Sequence, residues 1–89
     1  MNAFLTITRL ENAILLRMQA YIYRSQKKAD TYVFLAKEDG FDALPAALDA
    51  QLSPWVSVMA LTLDPSRKLA RGNVERVMDD LATRGFHLQ

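Results

Sequence analysis

The 89-residue chain has no cysteine, one histidine and only three glycines. The absence of cysteine excludes a disulfide framework, a thiol nucleophile and every cysteine-ligated metal site. One histidine excludes a multi-histidine metal centre within a single chain, and three glycines leave no room for a glycine-rich phosphate-binding loop. An excess of charge of one sign is also lacking. The 11 basic and 10 acidic side chains give a net charge of +1, which provides no strong overall attraction to nucleic acid or to an anionic membrane.

The N-terminal part of the chain lacks a long apolar run. Arg9 and Glu11 interrupt it, and the longest unbroken run nearby, residues 13–16, is far shorter than the roughly 20 residues that a membrane span needs. A signal peptide has an uninterrupted apolar core and a small-residue cleavage site, and this segment has neither. We therefore expect a cytoplasmic protein without membrane association.

What is present is a composition typical of one small folded domain. Apolar residues make up 51% of the chain and charged residues 24%. We assign the domain to residues 18–89 and treat residues 1–17 as an N-terminal extension. The extension allows two interpretations. It is an amphipathic helix that covers the sheet or a second copy, or it is upstream sequence before a natural start at Met18.

Two strands and a polar turn are predicted in the first half of the domain. Residues 20–23 and 31–36 are rich in aromatic and β-branched side chains, and the polar residues 25–30 between them predict an antiparallel hairpin. Residues 55–63 (WVSVMALTL) are apolar on both faces, which predicts a central strand covered on both sides. In that strand Trp55 and Leu61 are expected to share one face.

Two helices complete the pattern. Pro45 and the leucines that follow it predict a short helix over residues 45–52. Asn73 as N-cap and Gly85 after the last turn delimit an amphipathic helix over 73–84, and residues 86–88 can add a last strand. The order (α)ββαβαβ predicts a two-layer α+β domain with a small, mostly antiparallel or mixed sheet of three to four strands. Both helices are expected on one face, so the other face would need the extension, a partner or a second copy.

Several motifs resemble the YcgL domain family. They are residues 21–25 (YIYRS), the Lys27-Lys28 pair, residues 61–71 (LTLDPSRKLAR), the Val77-Met78 pair and the Gly85-Phe86 pair. They follow in order over about residues 18–88, and the stretch 61–71 is the most specific. The resemblance implies a small bacterial α/β domain, cytoplasmic and without a cofactor, and it assigns no activity.

The titratable residues do not form a catalytic or metal-binding pattern. His87, near the C-terminal end, is expected to be exposed and without a catalytic role. Asp79 and Asp80 are neighbours on a helix and point about 100° apart, as on a solvated face. The remaining aspartates do not follow calcium-loop spacing. We therefore predict a non-catalytic binding or regulatory module with no cofactor and no metal.

Basic and aromatic side chains at the predicted hairpin favour contact with nucleic acid or another anionic partner. If Ile22, Val33 and Leu35 face the helices, the hairpin aromatics lie together on the opposite face, where bases can stack on them, and basic side chains at the hairpin end can hold phosphates. The predicted stacking residues are Tyr21, Tyr23, Tyr32 and Phe34, and the predicted basic residues are Arg24, Lys27 and Lys28. The alternative is that these aromatics are simply core.

A second basic group precedes the last helix. Arg67, Lys68 and Arg71 lie just before a helix N-terminus, which favours anions, so we predict an anion site there. The alternative is a solvated loop in which Asp64 pairs with one of these bases. For the whole domain, the alternative function is protein–protein interaction or homodimer formation through an apolar sheet face and the N-terminal segment.

Overall fold

The computed structural model describes residues 17–64, 69 and 73–89. Within them the elements follow in the order β1 (Met18–Ser25), β2 (Tyr32–Leu35), α1 (Ala46–Leu52), β3 (Trp55–Leu63), α2 (Val74–Arg84) and β4 (Phe86–Leu88), with one turn of 3-10 helix (Phe41–Ala43) before α1. The strands form one sheet in the order β3-β1-β2-β4, and every pairing is antiparallel. The α+β class is confirmed. The predicted N-terminal helix lies outside the described residues except for Arg17.

Local sequence signals explain the ends of α2. The Asn73 side chain accepts hydrogen bonds from the backbone N–H groups of Glu75 at 2.8 Å and Arg76 at 3.2 Å. Gly85 ends the helix in the left-handed conformation, with φ of 82°. Both caps were predicted from the sequence and are confirmed. Between them the helix buries Val77, Met78 and Leu81.

The two helices pack on opposite faces of the sheet, so the prediction of both on one face is wrong. On the α2 face, Ala20, Ile22 and Phe34 contact the buried side chains of the helix. On the other face, which we call the α1 face, Tyr23, Val33 and Leu35 pack with residues of the 41–48 segment. Each face of the central strands β1 and β2 is therefore covered by described residues of the chain, so neither face needs the extension, a partner or a second copy to cover it.

Strand β3 lies at the edge of the sheet and not at its centre. Most of its residues are exposed, including Val58 at 48% and Met59 at 50%. A β-bulge explains part of the difference from the prediction. Ile22 pairs with Met59 but the next residue, Tyr23, pairs with Ser57. The extra residue reverses the alternation, so Trp55 packs on the α1 face while Leu61 packs on the α2 face.

Candidate functional site

The basic residues predicted at the hairpin do lie together. Arg24 near the end of β1, and Lys27 and Lys28 in the following loop, are all exposed. Arg24 and Lys27 line a shallow groove of about 630 Å³, whose other lining residues are Ser25, Gln26, Ala29, Asp30 and Tyr32, and Lys28 is not part of that lining. Lys27 is partly engaged, because its Nζ donates a hydrogen bond to the Ala50 carbonyl at 3.0 Å near the C-terminal end of α1. There its positive charge also complements the helix dipole.

Ser25 fixes this loop to α1. Its side chain is buried, and its hydroxyl donates to the carbonyl of Leu52, the last residue of the helix. The same oxygen accepts from the backbone N–H groups of Lys27 at 3.1 Å and Lys28 at 3.0 Å. One hydroxyl therefore sets the path of the basic loop. The second basic group, Arg67, Lys68 and Arg71, lies outside the described residues.

The four hairpin aromatics do not share a sheet face, so this prediction is wrong. Ile22 pairs with Phe34, and Tyr23 pairs with Val33. Directly paired residues of an antiparallel sheet project to the same side, so Tyr32 and Phe34 lie on the α2 face while Tyr21 and Tyr23 lie on the α1 face. Tyr23 and Phe34 are each only 5% exposed. Neither of them is available to stack on a base.

His87 is not the exposed terminal residue that the sequence suggested. Its ring packs edge-on against Phe34, with centroids 5.9 Å apart, and its Nδ1 lies 2.7 Å from the carboxylate of Asp80. The hydrogen bond from His87 is the main cause that lowers the pKa of Asp80, and Arg84 at 3.8 Å adds to it. This pair joins α2 to β4, which is a structural role.

A second concave region lies next to the bulge of β3, and we call it the β3 pocket. It has a volume of about 260 Å³ and is lined by Tyr21, Tyr23, Glu38, Asp39, Ser57, Met59 and Ala60. The two tyrosines come from β1, the two acidic residues from the turn after β2, and the other three from the edge strand. The pocket thus combines aromatic and apolar walls with two carboxylates.

Tyr23 and Asp39 form a reciprocal pair in this pocket. The Tyr23 hydroxyl accepts from the Asp39 backbone N–H at 2.8 Å and donates to the Asp39 carboxylate at 3.0 Å. Asp39 has φ of 56°, a left-handed conformation that aspartate tolerates better than most residues. Burial raises the pKa of Tyr23, and the charges of Asp39 and Glu38 add to the increase. The Asp39 carboxylate is therefore held in one position.

An aromatic stack supports the pocket from the α1 side. Phe41 contacts the Tyr23 ring edge-on, with centroids 4.6 Å apart, and stacks on Trp55 at 5.9 Å. The Trp55 indole N–H donates to the Asp49 carboxylate at 2.8 Å. Because α1 supplies Asp49, the stack ties the short helix to the edge strand and fixes one wall of the pocket.

Comparison with known sequences assigns the family. Residues 20–89 match the family model of the YcgL domain. The chain belongs to the YcgL domain family. A YcgL domain-containing protein of Xanthomonas axonopodis pv. citri is 47% identical over 72 residues, which are 81% of this chain and 84% of the relative. One from Stenotrophomonas maltophilia is 44% identical over the same shares. Every residue of the groove and of the β3 pocket falls within the YcgL match.

The β3 pocket of this YcgL domain was not predicted from the sequence. Glu38 and Asp39 were not singled out as site residues, and Ser57 and Met59 fall in a strand that was predicted to be covered on both sides. The bulge that exposes them has no local signal, because residues 55–63 contain neither glycine nor proline. The one available signal was the Glu-Asp-Gly turn next to aromatic strands.

Helix length and the clustering of metal-ligating side chains are two further properties of the part of the YcgL domain that the structure describes. None of the helices in this part is long and apolar enough to cross a membrane. This part also contains no group of three or more histidine, aspartate or glutamate side chains arranged to hold a metal ion.

Proposed function

We propose that this YcgL domain is a non-catalytic protein-interaction module whose contact surface is the outer edge of β3. The observation that supports the proposal most directly is the position of β3 at the edge of the sheet, with no described strand pairing to its outer side. An edge strand presents unpaired backbone N–H and C=O groups that can pair with another chain. Charged side chains are one common protection of an edge strand against such pairing, and residues 55–63 contain none.

The exposed side chains favour the same surface. Val58 and Met59 project large apolar groups into solvent at the middle of β3. β-Bulges are enriched at sheet edges and next to functional sites. Burial of these two side chains by a partner would remove apolar area from water, which favours association.

Site-specific photo-crosslinking in cells tests this function. A benzophenone amino acid at position 58 is expected to give adducts of discrete size, which mass spectrometry identifies. The same group at position 79, exposed on α2, is the matched control and is expected to give none. An adduct of twice the chain mass would identify a second copy as the partner. Absence of discrete adducts at position 58 would contradict the proposal.

A second candidate function is contact with nucleic acid or another anionic partner at the hairpin groove. Arg24 lines the groove, and the exposure of both Arg24 and Lys28 on this loop supports the candidate. Fluorescence anisotropy with a mixed-sequence single-stranded RNA provides the test, and affinity should fall steeply with salt. The variant Arg24→Glu/Lys28→Glu should abolish binding. Lys27 is left unchanged because it caps α1. No binding of the unmodified chain at low salt would rule this candidate out.

The proposal places the interaction in the cytoplasm. The support is the expectation drawn above from Arg9 and Glu11, which interrupt the N-terminal apolar stretch. Fractionation of cells followed by immunoblotting should recover the protein with the cytoplasmic contents. Recovery in the membrane or periplasmic fraction would contradict this part of the proposal.

A further inference from the structure

We propose that the β3 pocket receives the basic side chain, arginine or lysine, of an extended peptide that adds to the outer edge of β3. The inference rests on the proposed interaction function and specifies the chemistry of the partner. In strand addition, backbone hydrogen bonds supply affinity and side-chain pockets supply specificity. The β3 pocket lies where such a pocket is needed, because its lining includes Ser57, Met59 and Ala60 of the edge strand itself.

Charge favours a cation as the occupant. Glu38 and Asp39 line the pocket, and no described basic side chain lies within ion-pair distance of either carboxylate. Only one Asp39 oxygen is engaged by Tyr23, so the other can accept a hydrogen bond from a ligand. A guanidinium or ammonium group would neutralise the negative charge of the two carboxylates that line the pocket.

The remaining walls suit the alkyl part of such a side chain. Tyr21 and Tyr23 offer aromatic surface from β1, and Ala60, which pairs with Tyr21 and so projects to the same side, offers a small apolar wall from β3. Lysine and arginine side chains bury their methylene groups along apolar surface while the charged end reaches polar groups. A cation close to a tyrosine ring face is attracted to it as well. The pocket therefore matches both ends of a basic side chain.

Position along the strand also fits. Ser57 and Ala60, which pair with Tyr23 and Tyr21 and so project to the α1 face, lie on either side of the middle of the nine-residue strand β3. A peptide strand whose central side chain enters the pocket can therefore pair with β3 on both sides of that point. Successive side chains of a strand point to opposite faces, so only the peptide residue that faces the pocket enters it. One basic residue in an otherwise uncharged peptide is therefore sufficient to fill the pocket.

A second copy of β3 is a poorer occupant. Residues 55–63 contain no basic side chain, so pairing of two edge strands would leave Glu38 and Asp39 without a cation. The partner is thus a different segment, extended and carrying a positive charge. Self-association remains an outcome that the experiment detects.

The experiment uses the full chain and two peptides of one length. The first is an acetylated, amidated heptapeptide of alternating threonine and valine with arginine at its centre, and the second has norleucine in place of the arginine. Binding is measured by fluorescence anisotropy at low and moderate salt, and the site by amide NMR of β3. The arginine peptide is expected to bind more tightly by up to about fivefold, with the difference shrinking as salt rises.

The matched variants separate the pocket from the edge. Glu38→Gln/Asp39→Asn removes both charges, keeps an oxygen acceptor for Tyr23 and is expected to abolish the preference for arginine. Asp79→Asn removes an exposed charge on α2 and should leave that preference unchanged. Val58→Lys places a charge on the edge and should weaken both peptides, whereas the uncharged Val58→Thr should not. Thermal unfolding verifies that each variant is folded.

The outcomes distinguish the two proposals. Equal binding of both peptides to the unmodified chain, or an arginine preference that survives in Glu38→Gln/Asp39→Asn, would overturn the basic-side-chain inference and leave the interaction function intact. If neither peptide perturbs the β3 amides, or if β3 amides broaden with protein concentration alone because two copies pair, the inference is wrong. Failure of both peptides together with the absence of crosslinks at position 58 would overturn the interaction function too.

Discussion

At the scale of single residues, the Tyr23 hydroxyl is the group that holds the acidic turn against the sheet. It bonds the backbone and the carboxylate of Asp39 at once, while its ring contacts Phe41. Tyr23→Phe keeps the ring and removes both hydrogen bonds. We expect a loss of about 1–2 kcal/mol in the free energy of unfolding, measured by urea denaturation at neutral pH. Asp39→Asn, which retains an acceptor, should lose less, and an unchanged stability of Tyr23→Phe would contradict this role.

The same tyrosine gives a pH dependence with a defined sign. Burial, assisted by Asp39 and Glu38, raises the pKa of Tyr23 above its ordinary value of 10.0. Below pH 10 both states are protonated and the shift has no effect. Above it the unfolded chain releases the proton first, so the free energy of unfolding decreases as pH rises. The difference in stability between the wild-type chain and Tyr23→Phe should therefore diminish above pH 10.

Asp80 gives a dependence at the acidic end. The hydrogen bond from His87 lowers the pKa of Asp80 below its ordinary value of 3.8. Its stabilising contribution is complete above pH 3.8 and is lost as the pH falls through the lower folded-state pKa. Asp80→Asn should unfold at lower urea concentration than the wild-type chain at pH 7, and the gap should narrow in strong acid. Asp79→Asn, on the exposed side of α2, should show little change at either pH.

At the scale of elements, Ser25 connects the β1–β2 loop to the C-terminal end of α1. Its hydroxyl serves three backbone groups and is 4% exposed. Ser25→Ala should lower the free energy of unfolding by about 2 kcal/mol, because buried polar groups lose their partner. Amide hydrogen exchange should accelerate at Lys27 and Lys28. Ser57→Ala, at an exposed position of β3, serves as the control, and equal effects of the two changes would contradict this role.

The elements themselves were largely predictable, but their environments were not. The ends of α2 follow from Asn73 and Gly85, which act through local hydrogen bonds and backbone conformation. The location of β3 at the edge depends instead on which strands pair with β1 and β2, and this pairing is not set by the residues of β3 alone. A run that is apolar on both faces predicts a central strand, and the bulge after Ser57 cancels that inference because it changes which side chains point to the core.

At the scale of the whole molecule, the register between β1 and β2 decides which aromatic residues are accessible. Pairing of Ile22 with Phe34 places Tyr32 and Phe34 on the α2 face. A shift of one residue would have moved them to the face of Tyr23, which is the arrangement expected from the sequence. The register depends on how the glycine-free loop 26–31 folds, which in turn depends on Ser25 and α1. Such non-local dependence explains why the hairpin was predictable and the composition of each face was not.

Gly85 joins parts of the molecule from both sides of the sheet. It ends α2, its carbonyl accepts from the Ala36 N–H at 3.1 Å, and a Cβ built on it would lie 3.1 Å from the Cβ of Ala43. Gly85→Ala should therefore lower the free energy of unfolding by at least about 1 kcal/mol, as measured by urea denaturation. The additional change Ala43→Gly should recover the part due to close contact. The rest of the loss is due to the positive φ of residue 85, which alanine adopts less easily than glycine. Full recovery of the free energy of unfolding in the double variant would contradict this contribution of the backbone.

The strand order has a consequence for the growing polypeptide. The central pair, β1 and β2, is also the pair closest in sequence, and the flanking strands β3 and β4 come later. During synthesis the hairpin emerges first and closes a short loop, which is the least costly closure in the sheet. Its two sides are then extended in turn, by β3 on one side and, after α2, by β4 on the other. During translation the sheet therefore grows outward from its central pair, and each new strand pairs with a strand that has already formed.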